Sequence, residues 1–205
     1  MAELGFFLKG LIIGFAIAAP VGPIGVLCIR RTLAEGRLTG FFSGLGAASA
    51  DMTYGAVAAF GLTVIQNWLI GAQFWLHVLG GVFLIYLGIR TFFARPLSKA
   101  GLENKDQNLF QAYLSTLGLT LTNPATILSF TVIFAGLRLV ETNGNVFSAV
   151  VLVGGVFLGS SAWWLTLSLI VGFFRERFTP RWMVWVNRLA GMIILTFGLV
   201  ALIAK

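Results

Sequence analysis

The sequence predicts an all-α membrane protein with six transmembrane helices, arranged as two inverted repeats of three helices each. Of its 205 residues, 58% are hydrophobic and 10% are charged, whereas soluble domains carry about 25% charged residues. The apolar residues form six separable segments, and a proline motif interrupts the first segment of each half. A chain with so few polar residues could not cover a soluble fold, so lipid must solvate most of its surface.

The six apolar segments predict the helices one by one. They cover residues 4–29, 39–63, 69–93, 109–136, 146–174 and 182–204. Each has about 20 residues or more, which is enough to cross about 30 Å of hydrocarbon as a helix. Strands of a membrane barrel would be about ten residues long with strict alternation of polarity, and that alternation is absent from the sequence.

The positive charges predict the orientation of these helices in the lipid bilayer. The net charge is +7, and 11 of the 14 Lys and Arg residues lie in or beside the gaps that follow the first, third and fifth segments. Because cytoplasmic loops carry an excess of Lys and Arg, we expect both termini to lie outside the cytoplasm. The basic residues form no stripe with interleaved aromatic residues, so nucleic acid is not an expected partner.

A polar stretch at residues 94–108 divides the chain and predicts a cytoplasmic linker. Residues 1–93 and 109–205 then form two halves of three segments each. Since three is odd, the second half enters the membrane from the opposite side, which is the condition for an inverted repeat. The second helix of each half also carries a pair of small residues four apart, which favours close helix contact. These pairs are Gly40-Gly44 and Gly155-Gly159.

Proline motifs interrupt the first segment of each half. In the first segment Pro20 and Pro23 flank Gly22, and in the fourth segment Asn123 precedes Pro124. A proline inside a helix removes a backbone donor and clashes with the preceding turn, so we expect both helices to open there. The freed backbone groups cannot face lipid and must line a cavity or contact polar groups. An ordinary kink is the alternative for either motif alone.

Each interruption also starts a new half-helix that could bind an anion. Pro23 is a favourable first helical residue, and Asn123 can cap the helix that would follow it. The free amides and the positive dipole end suit the carboxylate of a substrate. The sequence therefore predicts that the substrate site includes Pro20, Gly22, Pro23, Asn123 and Pro124.

Asp51 is the one acidic residue set deep inside a long apolar segment. A carboxylate in hydrocarbon is costly unless it is paired, protonated or wetted, and such residues usually mark a transport pathway. We expect Asp51 to bind a proton that is coupled to transport, or the ammonium group of a substrate. The alternative is a protonated structural carboxyl that bonds to a nearby carbonyl. Tyr54 is a candidate neighbour under either interpretation.

The fifth segment carries polar and aromatic residues at the depth that corresponds to Asp51, namely Ser160, Ser161, Trp163 and Trp164. Tryptophan usually prefers membrane interfaces, so this pair is unusual. We expect Trp164 to form a wall of the substrate pocket, where its ring could meet an ammonium group. We expect Trp163 to fill the core of the bundle.

The sequence offers no motif for enzymatic catalysis or for a resident metal. Cys28 and His77 are the only residues of their types, which is too few for a disulfide, a redox pair or a His-rich metal site. A nucleophile triad, paired carboxylates and a phosphate-binding loop are also absent. We therefore predict neither an enzyme nor a cofactor.

The motifs together resemble those of the lysine exporter superfamily, which includes the threonine and homoserine efflux proteins. The resemblance lies in Pro20-Val21-Gly22-Pro23, in Arg30-Arg31-Thr32-Leu33-Ala34-Glu35-Gly36-Arg37, in the glycine-stepped helix that ends at Asp51, and in Asn123-Pro124. Chain length, six predicted spans and the charged central linker agree, so the resemblance covers nearly the whole chain.

The resemblance implies an exporter of amino acids in the bacterial inner membrane that uses the proton gradient. It also implies that the two proline motifs and Asp51 form the transport site. Two positions depart from the pattern of the superfamily. Val21 stands inside a motif that is often Pro-Gly-Pro, and Ala125 stands where a lysine often follows Asn-Pro, so the substrate cannot be assigned by analogy.

We therefore expect a secondary active transporter, an antiporter that exports a small amino acid or a derivative in exchange for protons. Metal-cation efflux is the main alternative, although it usually requires several carboxylate, histidine or thiolate ligands. A non-transporting membrane scaffold is a further alternative, but it would explain neither the helix interruptions nor the buried acid. A transmembrane electron carrier would need a redox-active cysteine pair. The sequence is compatible with a homodimer.

Overall fold

The computed structural model describes residues 2–20, 22–60, 73–94, 108–123, 126, 130, 146–175 and 179–203. All regular secondary structure within these ranges is helical, which confirms the all-α class. The helices in the described ranges are α1 (Ala2–Ala18), α2 (Pro23–Glu35), α3 (Arg37–Ala59), α4 (Gln73–Phe92), α5 (Leu109–Leu121), α6 (Val146–Phe174) and α7 (Pro180–Ile203).

The described helices include two that are long and apolar enough to cross a membrane alone, Val146–Phe174 and Arg181–Ile203. Helices α1 and α2 together qualify as a third span that is bent. Helix α3 has a sufficient length of 23 residues, but Arg37, Asp51 and many small residues lower its hydropathy. Within the described ranges, α5 and the apolar part of α4 (Val78–Phe92) are apolar but shorter than a full span. The count of six spans therefore stays a prediction.

Helices α1 and α2 divide the first apolar segment and meet at a bend of 81°. Helix α1 ends at Ala18, and α2 begins at Pro23 with Gly22 as its N-cap residue. Pro23 is tolerated there because the first helical position makes no intrahelical use of its N–H. The carbonyl of Gly22 accepts a hydrogen bond from the N–H of Val26 at 3.0 Å. The segment is thus interrupted where the proline motif predicts.

A single glycine joins α2 to α3. Gly36 has a φ of 112°, a conformation that residues with a side chain rarely adopt. Its N–H donates to the carbonyls of Arg31 and Thr32 and so closes the end of α2. The sharp turn lays α2 against α3, and the side chain of Thr32 occupies the space that a Cβ on Gly40 would need.

The helices pack in a pattern that crosses between the two halves of the chain. Helix α1 packs along α6, α5 packs along α3, α3 packs along α6, and α4 packs along α7. Glycines bring α1 and α6 into backbone contact. A Cβ on Gly14 would overlap the carbonyl of Val156, and a Cβ on Gly159 would overlap the carbonyl of Leu11. Both predicted small-residue pairs thus lie at helix contacts. Gly155 and Gly159 both face α1. The other pair is divided, since Gly40 faces α2 and Gly44 faces α6.

One buried apolar cluster brings the ends of the interrupted helices together. It includes Ala18 and Ile24, which lie on either side of the bend, and Leu119 near the end of α5. Ala47 of α3 and Trp164 of α6 belong to the same cluster. The end of α1, the start of α2 and the end of α5 therefore pack on α3 and α6.

Candidate functional site

A buried carboxylate connects α3 to α6. Asp51 is 3% exposed, and its Oδ2 accepts a hydrogen bond from Ser160 Oγ at 2.7 Å. Trp164 lies one turn further along α6, and its Nε1 donates to the same hydroxyl at 3.2 Å. Two of the predicted site residues, Asp51 and Trp164, are therefore joined through Ser160 in a chain of donors that ends on the acid.

Small residues on α3 make this contact feasible. A Cβ on Gly44 would fall on the side chain of Trp164, and a Cβ on Gly55 would lie 3.6 Å from a side chain of α6. Gly44, Asp51 and Gly55 are separated by seven and four residues, so they share one face of the helix. Because α6 lies close along this face, the short side chain of Asp51 can reach Ser160.

Tyr54 connects the helix of Asp51 to the end of α5. It is 6% exposed, and its hydroxyl donates to the carbonyl of Leu121, the last residue of α5. The last four carbonyls of a helix have no intrahelical donor, so this hydrogen bond satisfies a group that the helix end leaves free. The ring of Tyr54 packs beside Phe130, with the ring centroids 5.7 Å apart.

The second proline motif is described in part. Helix α5 ends at Leu121, two residues before Asn123. Asn123 is buried, its N–H donates to the carbonyl of Thr120 at 3.2 Å, and its own carbonyl accepts from the N–H of Thr126 at 3.1 Å. Pro124 and the residue that follows it lie outside the described residues.

The first proline motif has one buried and one exposed proline. Pro23 is buried at the start of α2, whereas Pro20 is exposed. Among the described residues, a Cβ on Gly22 would meet no atom within 4 Å, so the N-cap of α2 borders open space in this part of the chain. The amide of Ile24 belongs to the first turn of α2, where a helix provides no intrahelical acceptor. Ile24 shares a buried cluster with Ala47 of α3 and Trp164 of α6, so this helix start adjoins both helices that Asp51 and Ser160 connect.

Ser160 is the site residue that the sequence did not single out. The sequence places both Ser160 and Ser161 at the depth of Asp51, but only the structure makes Ser160 the donor to the acid. Helical phase is the signal that could have distinguished them, because residue 160 lies one turn before Trp164 on the same face. Trp163 instead packs edge-on against Phe15 of α1, with ring centroids 5.3 Å apart, which agrees with its predicted packing role.

These features define a helical membrane transporter. Its first apolar segment is interrupted inside an apolar bundle, and its interior holds a hydrogen-bonded acid between two closely packed helices, a combination typical of transport pathways. The chain belongs to the LysE type translocator family, whose model matches residues 15–205. As a member of this family, the protein moves a solute across the membrane and is not an enzyme.

Two relatives from Bacillus subtilis (strain 168) match most of the chain. The first is named "Putative amino acid efflux protein YcgF" and is 24% identical over 198 residues, which covers 95% of this chain and 94% of that protein. The second is named "Uncharacterized membrane protein YrhP" and is 23% identical over 185 residues, which covers 85% of this chain and 87% of that protein. No solved structure matches the chain significantly.

Proposed function

We propose that the protein is a secondary active transporter that exports a small amino acid, or a derivative of one, from the cytoplasm in exchange for protons. The observation that carries this proposal is the buried Asp51, which accepts a hydrogen bond from Ser160 at 2.7 Å across the contact between α3 and α6. Membership of the translocator family and a relative named for amino acid efflux support the class of substrate.

The proposed substrate is a zwitterion that binds beside Asp51. Its ammonium group pairs with the carboxylate of Asp51, and the ring of Trp164 adds a cation–π contact. Its carboxylate binds the first turn of α2, next to Pro20, Gly22 and Pro23, where free amides and the helix dipole favour an anion. Tyr54 and Asn123 border the site on the side of α5, and Pro124 is the further binding residue that the sequence predicts in this motif. The buried apolar cluster supports this arrangement, because it brings Trp164 together with Ala18 and Ile24 beside the first proline motif and with Leu119 near the end of α5.

Asp51 couples export of the substrate to entry of protons, because the substrate ammonium group and a proton compete for its carboxylate. A charged carboxylate in an apolar bundle has to be neutralised before helices can move past it. The ammonium group of the substrate neutralises it on the outward passage, and a proton neutralises it on the return. Because both occupants use the same group, net export of substrate accompanies net entry of protons, provided that each occupant favours the conformational change.

Two inverted repeats that rock against each other would expose this site to each side in turn. The packing of the helices supports this arrangement. If the two halves are related by symmetry, α1 corresponds to α5, α3 to α6 and α4 to α7. The α1–α6 contact then corresponds to the α5–α3 contact, and both contacts exist. The same symmetry pairs α3 with α6 and α4 with α7, and each of these pairs is also in contact. A two-fold axis between α3 and α6 would produce this pattern, and Asp51 lies in that central contact. We infer a bacterial inner membrane location with the arginine-rich ends in the cytoplasm and both termini outside.

Efflux from proteoliposomes tests the function. Vesicles are loaded with one labelled amino acid each from a panel, and the exterior is then acidified by one pH unit. Such a gradient is worth about 1.4 kcal/mol per proton, so exchange of one proton per amino acid can sustain a concentration ratio of about ten across the membrane. We therefore expect at least one small amino acid to leave faster with the gradient than without it, and to leave against a concentration difference of up to about tenfold. Protein-free vesicles and a protonophore are the controls.

The panel also includes divalent cations, because metal-cation efflux is the alternative activity. Export of a divalent cation and of no amino acid would replace the proposed function with that alternative. If no solute in the panel moves under any gradient, the proposal of a proton-driven amino acid exporter is wrong.

A further inference from the structure

One arginine of α2 joins three helices at the arginine-rich end of the bundle. Arg31 Nη1 donates to Ser43 Oγ at 2.8 Å and to Thr116 Oγ1 at 2.9 Å. The same nitrogen lies 3.0 Å from the carbonyl oxygen of Ala112, and Nη2 donates to Ser115 Oγ at 2.8 Å. Ser43 belongs to α3, whereas the other acceptors belong to α5 in the second half of the chain. The side chain of Arg31 thus holds one half of the protein against the other.

Two further arginine contacts hold the same end of α2. Arg30 Nε donates to Asn187 Oδ1 at 3.1 Å, and Asn187 Nδ2 donates to the carbonyl of Ala94 at 2.9 Å. Asn187 is 2% exposed, so this bridge to α7 and to the end of α4 is buried. Arg175, which follows α6, donates from Nε to the carbonyl of Leu33 at 3.1 Å. The end of α2 is therefore tied to α4, α5, α6 and α7.

Helix α2 extends from the candidate site to the arginine-rich end of the bundle. It has 13 residues, or about 20 Å of helix, and it runs from the bend at Pro23 to the arginine-rich end. It packs against α3, α6 and α7 on the way.

The chemistry of the Arg31 contacts suits a closure that can open. The four acceptors are neutral hydroxyl and carbonyl oxygens, and neutral acceptors hold a guanidinium less strongly than a carboxylate does. Water can take the place of each acceptor once the helices separate. Ser43 and Thr116 are each 0% exposed, so water does not reach these acceptors in the closed arrangement.

We propose that Arg31 and its acceptors on α3 and α5 are the latch of the cytoplasmic gate. In the closed state the latch holds α2 in place, and its release lets α2 move so that the cytoplasm gains access to the transport site. This inference rests on the proposed function, because only alternating access gives such a latch a purpose. Arg31 acts through the position of α2 and touches neither the substrate nor the proton.

The single cysteine of the chain is a built-in reporter of this movement. Cys28 lies on α2 one turn before Arg31 and is 1% exposed. A charged, membrane-impermeant methanethiosulfonate reagent is added to inside-out vesicles, and the rate of Cys28 modification is followed by mass spectrometry. We expect Arg31→Gln to raise this rate by at least about tenfold, which corresponds to about 1.4 kcal/mol in the equilibrium between closed and open states.

Arg188→Gln is the matched control for the loss of one positive charge. Arg188 lies exposed on α7 near the same end of the bundle and makes a cation–π contact with Trp185. We expect this variant to be modified at the rate of the parent protein. Right-side-out vesicles, in which the reagent meets the opposite face, should show no acceleration for Arg31→Gln.

Two milder variants keep the test decisive if Arg31→Gln does not fold. Ser115→Ala and Thr116→Val each remove one acceptor and leave the arginine in place, so each should accelerate modification less than Arg31→Gln does. The latch is refuted if no folded variant accelerates modification, or if Arg188→Gln accelerates it equally. The assay needs no substrate, so accelerated modification without any amino acid export would refute only the proposed function. Export by the parent protein without acceleration in the variants would refute only the latch.

Discussion

Replacing Asp51 with asparagine is expected to abolish efflux driven by a pH gradient while the protein remains folded. Asparagine has the same shape, and its amide oxygen can accept the hydrogen bond that Ser160 donates at 2.7 Å. It cannot bind a proton or supply the negative charge that pairs with an ammonium group. Removing one partner of a buried ion pair costs about 3–5 kcal/mol, so we expect the initial efflux rate to fall at least about a hundredfold.

Initial rates from proteoliposomes with and without the gradient measure this effect, and Glu3→Gln is the matched control. Glu3 Oε1 accepts a hydrogen bond from Ser148 at 3.0 Å near the start of α1, and glutamine preserves that acceptor. We expect the control to export at the rate of the parent protein. Ser160→Ala should be intermediate, because a hydrogen bond to a charged group contributes about 1.5–3 kcal/mol. Full gradient-dependent efflux by Asp51→Asn would show that another group carries the coupling.

The second large effect is expected from Gly159→Leu, which should prevent stable packing of α1 on α6. A Cβ at this position would overlap the backbone carbonyl of Leu11, and backbone cannot move aside as a flexible side chain can. Overpacking of a closely packed core usually costs about 1–3 kcal/mol, and a clash between a side chain and the backbone of the neighbouring helix lies at or above the top of that range. We expect the variant to accumulate poorly or to unfold more than about 5 °C below the parent protein.

Gly154→Leu is the control for this prediction, since it makes the same substitution on the same helix. A Cβ on Gly154 would meet no atom of the described residues within 4 Å, so leucine there should extend toward lipid at little cost. Size-exclusion chromatography and thermal unfolding in detergent compare the two variants. Equal stability of both variants would contradict the close α1–α6 contact.

Several parts of the fold were predictable because they depend on local chemistry. The apolar composition predicted helices in lipid. The motif at Pro20 and Pro23 predicted an interruption of the first segment, because prolines remove backbone donors from a helix, and the structure has the interruption there. The end of α5 near Asn123 follows from the same local rule. Asp51 was recognisable as a candidate site because an acid in an apolar segment requires a partner, and the structure provides one in Ser160.

Other parts were not predictable because they depend on which surfaces meet in three dimensions. The spacing of Gly155 and Gly159 indicates a close contact but does not identify α1 as the partner. Likewise, Arg31 lies in a charged gap of the sequence, where its charge helps to predict the orientation of the helices in the membrane. Its hydrogen-bond acceptors on α5 lie more than 80 positions away in the sequence, so its contacts could not be predicted. The number of spans is also not fixed by composition, because the small and polar residues that let α3 pack closely make it less apolar than an ordinary span.

Calorimetric titration of the transported amino acid into the purified protein tests the central claim most directly. Titrations in buffers of different ionisation enthalpy report both the affinity and the number of protons released on binding. For the parent protein we predict release of about one proton per bound amino acid at pH values where Asp51 is protonated. For Asp51→Asn we predict weak binding without proton release. Equal affinity and equal proton release in the two proteins would contradict the assignment of Asp51 as the shared site for substrate and proton.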